Sequence, residues 1–133
     1  MSKDKSELLM SYIKNNVAPL LLDFVGDLNL PNSVVLSANC NEEDFNGHYE
    51  NENFVAPSWY KELSKINGYS VLIIDKIDSI SKEKQAKFVE ILKYRQVSTF
   101  KLPQNTVIIV TARKIDENTI NEEIYSLVAH IKG

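Results

Sequence analysis

Ser70-Val71-Leu72-Ile73-Ile74-Asp75 is an uninterrupted apolar run that ends in a carboxylate, with Lys76, Ile77 and Asp78 behind it. A run without polar alternation marks a strand covered on both faces, hence one inside a parallel sheet. Ligands of such sheets bind beyond the carboxyl ends of the strands. A carboxylate placed there can hold a divalent cation through water, although many buried strands end in Asp simply as a turn or capping residue. Two further strand ends fall at the same level: Asn39-Cys40, and Thr111 to Arg113. If the sheet forms, Lys76, Arg113 and Lys114 meet at one edge and make a small positive patch suited to a phosphate or an acidic peptide. Near the start, Lys5-Ser6 places a cation and a hydroxyl ahead of a helical pattern.

Other reactive side chains lack partners in sequence. Cys40 has no neighbouring base and reads as a structural or semi-exposed thiol. His48 and His130 are far apart and without a spaced Cys or His, so no zinc site is expected. Glu42, Glu43, Asp44, Glu50 and Glu52 match no calcium loop and read as solvated surface. Phe54, Trp59 and Tyr60 are expected to pack onto the sheet rather than to form a docking face.

These groups need elements to position them. Leu8, Leu9, Tyr12 and Ile13 have helical spacing over Glu7 to about Asn15, with Asp4 and Glu7 as a capping box. Pro19 suits the first turn of a second helix carrying Leu21, Leu22, Val25 and Leu28. Val34 to Ala38 reads as a buried strand, and Asn39 to Asn53 as a loop or small exposed hairpin. Pro57 to Ile66 is a helix begun by proline and ended by Asn67-Gly68. Ser81 caps a helix to about Arg95, with Ala86, Phe88, Val89, Ile91 and Leu92 inward. Thr106 to Thr111 is a second buried strand, Asn118 to about Ser126 a helix, and Leu127 to Ile131 a last short strand. The alternation predicts right-handed crossovers and an α/β three-layer sandwich with a small, mainly parallel sheet.

Bulk properties bound the function. The 133 residues fit one domain, 1–133, divided into a helical N-terminal part (1–28) and an α/β core (29–133). With 44% hydrophobic and 25% charged residues the chain is globular rather than disordered. Fifteen basic against 18 acidic residues, a formal charge of -3, count against a dedicated nucleic-acid binder. One cysteine forms no internal disulfide, which points to a reducing compartment, the cytoplasm. No signal peptide or membrane-length apolar run is visible, so no membrane partner is expected.

From about Leu28 to Ile131 the sequence resembles the AAA+ P-loop ATPase core of the MoxR type. The matching stretches are Leu30 to Ala38, Asp44-Phe45-Asn46-Gly47, Ala56-Pro57-Ser58-Trp59, Val71 to Asp78, Lys84 to Leu92 and Lys101 to Ala112. Their order and spacing carry the resemblance, which implies a P-loop NTPase-like fold. It also implies a chemistry that this chain departs from. The family's Walker A loop, G-x-x-x-x-G-K-[ST], cradles phosphates on backbone N–H groups. Here the glycines are at 26, 47, 68 and 133, none before Lys-Ser or Lys-Thr, and Lys5-Ser6 is at most a remnant with four residues ahead of it. In the Walker B position Asp75 survives, but Lys76 replaces the glutamate that polarises water, and Asp78 stands three residues on. Arg113 occupies the first sensor position, usually asparagine, and no arginine lies near Leu127 for the finger. The helical lid is missing.

The expectation is therefore a degenerate domain without catalytic or metal-binding residues: a pseudo-ATPase acting as an interaction or assembly module. Its partner would be a protein, itself or an active ATPase. Two alternatives arise from the same residues. One is an ATP-binding subunit of a MoxR-like ATPase completed by a partner chain, with weak ATP and magnesium affinity through Asp75. The other is a regulatory nucleic-acid binder using Lys76, Arg113 and Lys114.

Overall fold

The computed structural model describes residues 3–15, 19–24, 26, 28 and 30–131, apart from the side chains of 3–6 and 8. Five parallel strands form the central sheet: β1 (Leu20–Asp23), β2 (Ser33–Ser37), β5 (Ser70–Asp75), β8 (Thr106–Ala112) and β9 (Ala129–Ile131), in the order β2-β5-β8-β1-β9. Two short antiparallel hairpins, β3 (His48–Glu50) with β4 (Asn53–Val55) and β6 (Gln96–Val97) with β7 (Phe100–Lys101), sit in the crossovers.

Alternate side chains of each strand enter two separate cores, which makes three layers. One core holds Leu21, Val34, Leu36, Leu72, Ile74, Ile108 and Val110. It is covered by α2 (Glu42–Asn46), α3 (Ser58–Ser64), α4 (Lys82–Gln85), α5 (Val89–Tyr94) and α6 (Glu122–Leu127). The other holds Leu20, Leu22, Val71, Ile73, Val107 and Ile109 under α1 (Lys3–Asn15) and Leu28. Three crossovers, β2→β5, β5→β8 and β8→β9, move one way across the first face. The link from β1 to β2 moves the other way across the second. All four share one hand, as the chirality of parallel crossovers requires.

The sequence-based expectations hold for β5, β8, β9 and the proline-started α3. Others need correction. Leu20-Leu21-Leu22 is not part of a helix begun by Pro19: it is β1, an interior strand, so the N-terminal part is not wholly helical. Three consecutive leucines are all buried here because a strand between two layers buries both of its sides, which an amphipathic helix does not. The helix α1 already begins at Lys3, so Asp4 stands inside it rather than capping it. β2 is an edge strand with alternating burial, and Val35 is 56% exposed. The segment after Ser81 is three short helical pieces, with a 3-10 turn at Ala86–Phe88 between α4 and α5. In it Ala86 is exposed and Gln85 is fully buried, because Gln85 stands three and seven residues before Phe88 and Leu92 and shares their inward face.

Gly47 closes α2 at φ +82°, and a Cβ there would meet the Val55 carbonyl oxygen at 2.5 Å. Only glycine lets the first hairpin fold back this closely. Phe54, Trp59 and Tyr60 do pack, with Phe100 of the second hairpin at their centre: the Tyr60 and Phe100 rings are 4.5 Å apart. Trp59 Nε1 donates to the Phe45 carbonyl at 3.1 Å and Tyr60 donates to the Lys101 carbonyl at 2.7 Å.

Candidate functional site at the switch point of the sheet

Neighbouring strands whose outgoing connections leave toward opposite faces open a crevice at their carboxyl ends. Here the neighbours are β8, which leads over the α6 face, and β1, which leads over the α1 face. The crevice is thus framed by Asp23 and Phe24 on one side and by Thr111 to Arg113 on the other, with Asp75 next along the sheet.

The path of the chain beyond β1 determines which groups this crevice can offer. Phe24 N–H is already donated to the Ala112 carbonyl at 3.0 Å, extending the ladder by one residue. Leu28 is buried in the second core, with Phe24 and Leu30 packed against it. Of the described residues that follow β1, Phe24, Leu28 and Leu30 therefore lie with the apolar face of the sheet. Among the described residues between β1 and β2 there is no helix whose N-terminus points back at the strand ends. Lys5 and Ser6 belong to α1, ahead of β1, and among the described residues no strand precedes them; their side chains lie outside the described residues.

The carboxylates are engaged in joining β5 to β8. Thr111 Oγ1 donates to Asp75 Oδ1 at 2.9 Å and accepts from the Lys76 backbone N–H at 3.0 Å. Lys76 is exposed and left-handed, φ +58°, and starts the 3-10 turn Ile77–Ser79. That turn carries Asp78 inward until its side chain is only 6% exposed. There its two oxygens accept the backbone N–H groups of Arg113 and Lys114, each at 3.2 Å. Arg113 Nε stands 3.8 Å from Asp78 and Lys114 Nζ 3.8 Å from Asp116. The expected positive patch is accordingly neutralised: of its three cations only Lys76 lacks an ion-pair partner among the described residues.

No family model and no curated protein matches this chain. Its own groups must therefore speak for it. Among the described residues no three His, Cys, Asp or Glu side chains converge as a metal-binding group. His48 Nε2 meets Glu50 Oε1 at 3.1 Å in the hairpin. His130 lies on β9, its Nε2 buried without a hydrogen-bond partner. No described helix is long and apolar enough to cross a membrane.

Cys40 lies just beyond β2, its N–H bonded to the Ser37 carbonyl at 3.1 Å. Burial pushes its thiol above the ordinary value, and the nearby Lys87 ammonium opposes this only in part. Such a thiol is a weak nucleophile at neutral pH. Lys87 itself donates to the Cys40 carbonyl at 3.2 Å and lies over the Phe45 and Phe88 rings.

Sequence reasoning found Asp75, Asp78 and Arg113 but missed how they are joined. Thr111 was visible only as a strand end, and nothing marks a threonine as the bridge between two loops. The crevice itself was missed with β1. Its signal was the unbroken Leu20 to Leu22 run followed by Asp23, the same signature that identifies β5.

Proposed function

We propose that this chain is a non-catalytic AAA+-like domain, a pseudo-ATPase that works as an interaction or assembly module for a protein partner. The observation that carries the reading is the path of the chain after β1. A phosphate cradle needs several unpaired backbone N–H groups at a helix N-terminus facing the crevice. Here the first such N–H is spent on Ala112, and the link then buries Leu28 against the sheet.

The remaining groups support the same reading. Magnesium held by Asp75 would have Lys76 as the adjacent side chain, an ammonium that repels the metal and accepts no proton from water. Asp78 does not substitute, since both of its oxygens already bind backbone N–H groups. Phosphoryl transfer depends on positioning and on charge stabilisation, and these groups provide neither. They do not fit a magnesium nucleotide.

Titration calorimetry with ATP and with ADP, in the presence of magnesium, tests this. The expected result is no heat of binding up to about millimolar nucleotide. Binding at micromolar affinity, abolished by Asp75→Ala, would overturn the reading and favour an ATP-binding subunit completed by a partner. The feature that such a subunit would use is Asp75 Oδ2, which has no hydrogen-bond partner among the described residues.

A further inference from the structure

We infer that the outer edge of β2 is a docking groove for an extended, basic segment of a partner protein, which adds to the sheet as a sixth strand. The inference rests on the reading of the chain as an interaction module and gives that module a location and a partner chemistry.

The ladder between β2 and β5 fixes which backbone groups of β2 are left over. At its two ends Val71 N–H donates to the Asn32 carbonyl at 2.9 Å and Ala38 N–H donates to the Asp75 carbonyl at 3.0 Å. In a parallel pair every second residue faces the neighbour. Asn32, Val34, Leu36 and Ala38 therefore face β5, while Ser33, Val35 and Ser37 turn their N–H and C=O groups outward. Of these, only the Ser37 carbonyl has a backbone partner among the described residues, the Cys40 N–H. Natural edge strands are guarded by lysine, proline or a bulge. Residues 33–37, Ser-Val-Val-Leu-Ser, carry none of these, and Val35 is 56% exposed.

A cleft of about 360 Å³ runs beside this edge. Val35 and Ser37 form one wall, and Val55, Pro57 and Trp59 an apolar floor; Glu43 and Asp44 line it as well, two carboxylates against the single lysine of the lining, Lys61, with His48 beside them. An added strand would place alternate side chains on that floor. It would also meet the two carboxylates, with Glu42 beside them in the first turn of α2. Strand addition draws affinity from main-chain bonds and specificity from pockets for alternate side chains. The fitting occupant alternates apolar residues with lysine or arginine. A second copy of this chain fits less well, because its own β2 edge is uncharged and offers no cation to Glu43 and Asp44.

Trp59 is the single tryptophan of the chain and lines the groove, so its emission reports on occupancy. The probe is the capped peptide Lys-Val-Lys-Val-Lys-Val-Lys, with its glutamate-for-lysine twin as control. A saturable change in Trp59 emission is expected below about 1 mM of the lysine peptide, and none with the twin. Val35→Pro deletes an outward N–H without breaking an internal bond, and is expected to weaken binding at least about tenfold. Val35→Lys repels the same probe and serves if the proline variant does not fold by circular dichroism. The Glu43→Gln/Asp44→Asn pair is expected to lower affinity and flatten its salt dependence. Absence of saturable binding, or equal binding by the Val35 variants, overturns the groove. So does dimerisation in sedimentation that Val35→Pro abolishes, which would assign the edge to a second copy. Any of these leaves the nucleotide titration untouched, so the groove and the pseudo-ATPase reading fail separately.

Discussion

Gln85 has no solvent exposure and makes three hydrogen bonds to the main chain. Its Nε2 donates to the Ile80 carbonyl at 3.1 Å and to the Thr119 carbonyl at 2.7 Å; its Oε1 accepts the Asn121 N–H at 2.8 Å. Asn121 in turn caps α6, accepting from Glu123 and Ile124, and donates to the Lys82 carbonyl at 3.0 Å. Replacing Gln85 with methionine keeps the length and apolar stem of the side chain but strands three backbone groups. Each unsatisfied buried group costs about 1–3 kcal/mol. Partial relaxation of the Thr119 turn toward water lowers the sum, so Gln85→Met is expected to cost about 3–5 kcal/mol. That is a large fraction of the roughly 5–15 kcal/mol that holds a domain together. Gln85→Glu keeps the acceptor for Asn121 but loses both donated bonds and brings a charge into a dry site, so it is expected to be no better. Urea denaturation followed by Trp59 emission measures both variants. A loss below about 1 kcal/mol for Gln85→Met, at unchanged denaturant slope, would refute the view that this amide joins the Ser81 helical segment to α6.

Asp78→Ala removes the acceptor for two backbone N–H groups at the edge of solvent and is expected to cost about 2 kcal/mol in the same assay, with Asp78→Asn recovering roughly half. Lys76→Glu places a second carboxylate beside Asp75, yet phosphate release from ATP is expected to stay at background, because no phosphate cradle stands among the described residues; turnover by this variant would mean that nucleotide is held after all. Burial raises the thiol of folded Cys40, so its protonated form is the favoured one in the native state. The associated stability is fully present below the unfolded thiol's value of about 8.5 and is lost as pH rises through the folded value. Alkylation of Cys40 at pH 8 is expected to be slower in the native chain than in urea; equal rates would remove burial as the cause.

The sheet was legible wherever a strand is interior and long enough to show an unbroken apolar run, as at Val71 to Ile74 and Val107 to Val110. β1 carries the same signature compressed into Leu20 to Leu22. A preceding proline and leucines spaced onward to Leu28 imitate a helix, and only the pairing with β8 and β9 decides between them. Ala86 reads as inward on its apolar character alone, whereas Gln85, three residues before Phe88 and seven before Leu92, holds the buried stripe, a position its polar side chain disguises. At the site, the residue types at strand ends were readable because sequence order in a parallel sheet places them at one level. Their engagement was not. Whether Asp78 faces a ligand or its own backbone depends on the left-handed turn at Lys76, a conformation its residue type does not announce.

The neighbours of β1 in the sheet impose an order of assembly. Leu20 pairs with Ile109 on one side and Ala129 on the other, so both contacts span about ninety residues or more of chain. While the polypeptide emerges from a ribosome, β1 is made before the other described strands, and neither of its partners exists until β8 has been made. At about 5–20 residues per second its three leucines wait several seconds, while β2, β5 and then β8 assemble beside one another. During that interval the nascent chain displays a bare apolar segment of the kind that holdase chaperones grip, and α1 has no completed surface to shield it. Insertion of β1 between β8 and β9 then closes the sheet in one late step, with the seam of the molecule running along its oldest strand.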